Sequence, residues 1–128
     1  MDINPDFRTQ LQEARREGSR RTFRRIPAGA YRLSIQASGE HYSDPQDIRP
    51  AEDYDRWEVA VFAADGAWVT PQTHPDVFAD PTWGQYWVSS KTGGTASGQY
   101  VPTEVVQTLY DFLVLGPGLY AEASGAEP

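Results

Sequence analysis

The segment RWEVAVFAADGAWVTP, Arg56 to Pro71, decides the fold. Trp57, Val59, Val61 and Ala63 alternate with Glu58, Ala60 and Phe62, the two-residue period of a strand with one face in a core. Asp65-Gly66 supplies a type I′ turn, and Ala67 to Thr70 returns as a second strand. With Asp65 and Gly66 as the two turn residues, Ala63 faces Trp68 and Phe62 faces Val69.

Working outward, YRLSIQAS (Tyr31 to Ser38) follows a Pro27 to Gly29 turn and alternates in the same way. Tyr31, Leu33, Ile35 and Ala37 share one face; Arg32, Ser34, Gln36 and Ser38 share the other. On the C-terminal side QYWVSS (Gln85 to Ser90) and Gln99 to Val101 suit short strands, separated by the flexible loop KTGGTASG. A helix opened by Pro102 or Thr103 and closed by Gly116-Pro117 carries Val105, Val106, Leu109, Phe112 and Leu113 as a wide apolar face. At the other end NPDFRTQLQEARREG reads as a helix, with Asn4 as N-cap, Pro5 at the first position, a Phe7, Leu11, Ala14 stripe and Gly18 as the stop. The order predicts an α+β domain: an N-terminal helix, a small, mainly antiparallel sheet of about four to five strands, and a C-terminal helix packed on one face. Residues 1–116 are expected to form one domain with a basic N-terminal arm, and 117–128 a flexible tail.

Composition narrows the function. The 128 residues include no cysteine, which excludes disulfides, thiolate catalysis and Cys-ligated metals. No apolar run is long enough for a spanning helix or a signal-peptide core, so a soluble, cytoplasmic protein with no membrane partner is expected. The net charge of −7 is unevenly distributed. Residues 1–32 hold eight of the eleven basic residues against four acids, and the remaining 96 hold three against fourteen. A basic arm is thus attached to an acidic body.

Three doublets, Arg15-Arg16, Arg20-Arg21 and Arg24-Arg25, interrupt EARREGSRRTFRRIP. On an ideal helix they would spread most of the way round, so they make no single face. Arg20, Arg21, Arg24 and Arg25 are candidate binding residues that are expected to pair with the acidic body; the alternatives are a nucleic-acid-binding arm and docking on an acidic protein partner. Nucleic acid is not the expected partner, because the body would repel a polyanion.

Two histidines lie among loop carboxylates, His41 and Asp44 in GEHYSDPQD and His74 and Asp76 in HPD. They could serve acid–base or metal chemistry if their loops met, but no ligand pair at fixed helical spacing occurs. The sequence therefore predicts neither a metal nor a cofactor. Lys91-Thr92-Gly93 shares its spelling with a motif of penicillin-recognising enzymes, yet the SxxK and SDN partners are absent. The aromatic run WGQYW places Trp83 on a loop and Tyr86 and Trp87 on opposite strand faces. At least one ring should reach the surface, where it suits a protein hot spot or sugar stacking.

The leading expectation is a small acidic, non-enzymatic binding or regulatory protein that docks on a basic surface of a larger protein. In size and charge the chain is similar to small phage-encoded or mobile-element inhibitors that occlude nucleic-acid-binding machinery. Alternatives are a small enzyme using His41, Asp44, His74 and Asp76, and a ligand- or carbohydrate-binding module using Trp83, Tyr86 and Trp87. Nothing in the sequence fixes the partner's identity or the oligomeric state.

Overall fold

A computed structural model describes residues 4–116; the tail expected over 117–128 lies outside the described residues. The elements run β1 (Glu13–Glu17), β2 (Arg20–Phe23), β3 (Ile26–Ala28), β4 (Tyr31–Gln36), β5 (Arg56–Ala63), β6 (Trp68–Val69), a single turn of helix α1 (Pro81–Gly84), β7 (Trp87–Ser89), β8 (Ala96–Pro102) and α2 (Thr103–Leu115). A six-stranded antiparallel sheet has the order β3-β4-β5-β8-β7, with β6 pairing the second half of β5. β1 and β2 form a separate two-stranded hairpin. The α+β expectation holds in this coarse form, with more strands than expected.

The expected N-terminal helix is absent. Only Phe7–Gln10 makes a short 3-10 helix, which Asp6 caps by accepting from the Arg8 amide, and the chain is extended again at Leu11. Two contacts from far along the chain override the local helix signal. Phe7 is fully buried, edge-on to Trp57 with ring centroids 5.4 Å apart, and its amide donates to Gln107 Oε1 of α2. Gly18 then turns a hairpin instead of ending a helix: Glu17 pairs with Arg20, and Gly18 adopts φ 60°, a left-handed value that glycine reaches without side-chain strain.

The central hairpin is present in a different register. Ala63 and Ala67 bracket a three-residue loop, Ala64-Asp65-Gly66, in which Gly66 takes φ 91°. This is the three-residue connection with a left-handed last residue rather than a two-residue turn. Trp68 consequently pairs with Phe62 and Val69 with Val61. A slip of one residue exchanges faces: Val69 enters the core and Trp68 leaves it, 39% exposed.

The core lies on one side of the sheet. Leu33, Ile35, Val59, Val61, Val69 and Val101 meet Val106, Leu109 and Leu113 of α2, with Trp57 and Trp83 also fully buried. Thr103 opens α2 without capping it; its hydroxyl donates to Tyr54 O and accepts from Trp57 Nε1. Asp111 of α2 is buried and accepts from Asn4 and Gln107. β8 begins at Ala96, inside the stretch read as a flexible loop. It bulges against β5 between Trp57 and Val59, placing Tyr100 at φ 53°.

Candidate functional site

The other side of the sheet carries no helix. Its floor is built from the polar positions of the alternating strands: Ser34 and Gln36 of β4, Glu58 and Ala60 of β5, and Ser97 and Gln99 of β8. The β1–β2 hairpin raises one wall through Arg20 and Thr22, and the β7–β8 turn raises the other through Ser89, Ser90 and Thr95. His41 lies at the margin beside Gln36 and Glu58, while Phe62 and Trp68 lie toward the other end of β5. The resulting trough holds about 460 Å³, within the range of ligand sites.

One side-chain amide fixes the hairpin wall to the floor. Gln36 Nε2 donates to Phe23 O and Gln36 Oε1 accepts from Phe23 N, at 2.9 and 2.7 Å, replacing a strand's own peptide group. The tip is held by the Gly39 amide donating to Ser19 O and by Ser19 Oγ donating to Glu40.

The arginine doublets separate into distinct environments. Arg16 and Arg15 pair within the hairpin, with Glu13 at 2.6 Å and Glu17 at 3.7 Å. Arg21 is 4% exposed; its guanidinium donates to Arg49 O, Ala37 O and Tyr54 Oη and lies over the Phe23 ring. Arg25 covers the Phe62 ring at 3.6 Å. Arg24 is exposed, and the Arg20 guanidinium makes no hydrogen bond or ion pair among the described residues. Among the described residues, none of Arg20, Arg21, Arg24 and Arg25 forms the expected ion pair with the acidic body.

His41 is 3% exposed. Ser38 Oγ lies 2.6 Å from His41 Nδ1 and accepts from the Glu40 amide. The imidazole tautomer decides which of these two atoms donates the shared proton. His41 Nε2 is buried and has no hydrogen-bond partner among the described residues. Burial is the main cause holding the imidazole below its ordinary pKa; Glu58 pulls it upward, Arg20 and Arg21 push it down, and Glu40 pulls it up.

His74, in contrast, is half-buried, with Nδ1 2.8 Å from Thr73 Oγ1 and its ring edge-on to Tyr31. Tyr31 and Gln36 are opposite ends of β4, ~17 Å of strand apart, so the two histidine loops do not meet. Asp44 is exposed and bridges to Arg56 through its backbone; Asp76 is exposed beside a smaller hollow with Tyr31 and Val77. Among the described residues no group of three or more His, Cys, Asp or Glu is placed to hold a metal.

Of the aromatic run, Trp83 is fully buried with Nε1 donating to Val77 O, and so offers no surface ring. Tyr86 and Trp87 are half-buried against the core, Trp87 stacking on Phe78. Among the described residues the exposed rings are Trp68, Tyr42 and Tyr100, the last two 5.8 Å apart. Trp68 escaped the sequence reading through the register slip. The floor was visible as the polar half of YRLSIQAS, but polar alternation alone also describes a plain solvent face.

No protein-family model, no characterised protein and no solved structure matches the chain. No helix of the described residues is long and apolar enough to cross a membrane.

Proposed function

We propose that the protein is a non-enzymatic binding protein that regulates by occupying a partner protein's surface, and that the trough is the face it uses. The observation supporting this reading is the sheet face that no described helix covers, walled on two sides and carrying Arg20, which has no hydrogen-bond or ion-pair partner among the described residues. Single domains ordinarily cover or solvate such a face uniformly; one that shapes it into a trough offers a docking surface. Separation of the His41 and His74 loops leaves the enzymatic alternative without an assembled acid–base pair, which favours binding over chemistry.

The test is affinity capture from a lysate of the source organism with three baits: the native protein, Ser97→Tyr, which fills the trough, and Asp53→Lys, which alters the acidic loop on a different surface. A partner retained by native protein and Asp53→Lys but lost by Ser97→Tyr supports the trough. A partner that Ser97→Tyr still captures and Asp53→Lys loses would return the docking surface to the acidic body.

A further inference from the structure

Resting on that reading, we propose that the partner protein contributes an extended basic segment, which adds to the free edge of β7 as a further strand and continues the trough floor beyond Val88. β7 is the end strand of the sheet and, among the described residues, pairs only with β8. The Gln99 amide donates to Tyr86 O and the Ser90 amide to Thr95 O, which fixes the phase of the ladder: Val88, midway between, directs its N–H and C=O toward β8. Trp87 and Ser89 therefore direct theirs outward, and these two N–H and two C=O groups make no backbone hydrogen bond among the described residues. Such a row of unpaired groups is a template for another chain.

Natural edges are blunted by proline or charge. β3, at the opposite end of the sheet, carries Pro27, which has no N–H, and follows Arg24-Arg25. From Tyr86 to Ser90 there is neither proline nor charge. Val88, at the centre and 53% exposed, turns an apolar side chain to the trough, while Trp87 on the other face is anchored by stacking on Phe78. The charge of the occupant follows from the acidic end of the chain. From Trp57 onward Lys91 is the one cation in the sequence, against eight carboxylates, and the arginine-bearing hairpin forms the opposite wall. Exposed Asp76 and half-buried Asp80 stand two residues either side of Phe78. A second copy of the chain would bring its own −7 to this edge and be repelled, whereas a basic segment is attracted.

The probes are fluorescein-labelled peptides of alternating Thr and Val with Lys at both ends, the same peptides with Glu for Lys, and Lys peptides N-methylated along their centre. At low salt the Lys peptide should bind about tenfold more tightly than the Glu peptide, the worth of a few surface charge contacts. The N-methylated peptide should not bind native protein. Nor should the Lys peptide bind Ser89→Pro, which removes one outward N–H and leaves the ladder to β8 in place, with β4 and β5 amides still protected as the sign of a native fold. Saturation of native protein should slow exchange of the Trp87 and Ser89 amides by about tenfold or more and leave the Val88 amide, already paired, unchanged. Equal binding of the N-methylated peptide, or binding with Trp87 and Ser89 exchanging as before, would overturn strand addition; block of that binding by Ser97→Tyr would leave trough docking intact. Glu peptides that bind as well as Lys peptides would overturn the basic occupant, and a native dimer that Ser89→Pro dissolves would give the edge to a second copy instead. Failure of every peptide to bind, with the lysate partner still lost by Ser97→Tyr, would overturn the strand site alone. A lysate partner kept by Ser97→Tyr and lost by Ser89→Pro would remove the trough and support the edge.

Discussion

Trp68 stands directly across from Phe62, their rings 4.6 Å apart at 52°, on the side of the sheet away from α2. Its neighbour Val69 points the other way and is fully buried. Val69→Ala should therefore cost about 2 kcal/mol from lost burial. Trp68→Ala should cost about 1 kcal/mol, the share of one ring pair, despite removing a far larger group. Urea denaturation of both variants checks the order; the reverse order would restore the two-residue turn.

Arg20 and Arg21 are adjacent in sequence and opposite in consequence. Arg21→Ala strips hydrogen bonds from the buried Ala37 carbonyl, the half-buried Arg49 carbonyl and Tyr54 Oη, and should cost about 3 kcal/mol. Arg20→Ala should stay within about 0.5 kcal/mol, the range of a surface change. Equal losses from denaturant melts would show that Arg20 is structural as well.

His41 makes stability depend on pH with a definite sign. Its folded pKa lies below the ordinary 6.5, so the unfolded chain binds a proton that the folded one resists. Stability from this group is fully present above 6.5 and is lost as pH falls below it toward the folded value. The denaturation midpoint should drop between about pH 7 and pH 5, and less steeply in His41→Gln. Parallel profiles for native protein and variant would mean that the imidazole titrates as it does in water.

Leu109 sits in the middle of the α2 face and is fully buried. Leu109→Ala should cost ~2–5 kcal/mol. A loss under about 0.5 kcal/mol in a thermal or urea melt would detach α2 from the sheet.

Elements stated by local chemistry were legible in the sequence. The alternation over Tyr31 to Gln36 and Trp57 to Ala63, and the apolar stripe of α2 with its Gly116 stop, all read directly into the fold. The misreadings arose where distant partners outweighed local preference. Asn4, Pro5 and Asp6 resemble a helix start, but Phe7 gains more by wedging against Trp57, and Glu13 to Glu17 gain a strand partner in Arg20 to Phe23. The trough residues were distributed among strands that no local pattern brings together. Only the pairing of β4 with β5 and of β5 with β8 places Ser34, Ala60 and Ser97 on one floor, and the loop geometry at Gly66 settles only which face Trp68 and Val69 take.

The bond between Gln36 and Phe23 has a mechanical consequence. Since β1 and β2 pair with each other and not with the main sheet, the hairpin is a panel fastened to the domain at three places: the Gln36 amide, the buried Arg21 guanidinium and the Ser19–Gly39 contact at its tip. Amide exchange should divide the molecule accordingly: β4 and β5 protected to the limit of global unfolding, and β1 and β2 exchanging through a separate, lower-energy opening. In Gln36→Ala that opening should become easier without melting the core. The spacing between Arg20 and the floor would then fluctuate, so one uncharged side-chain amide sets how firmly the wall stands over the trough.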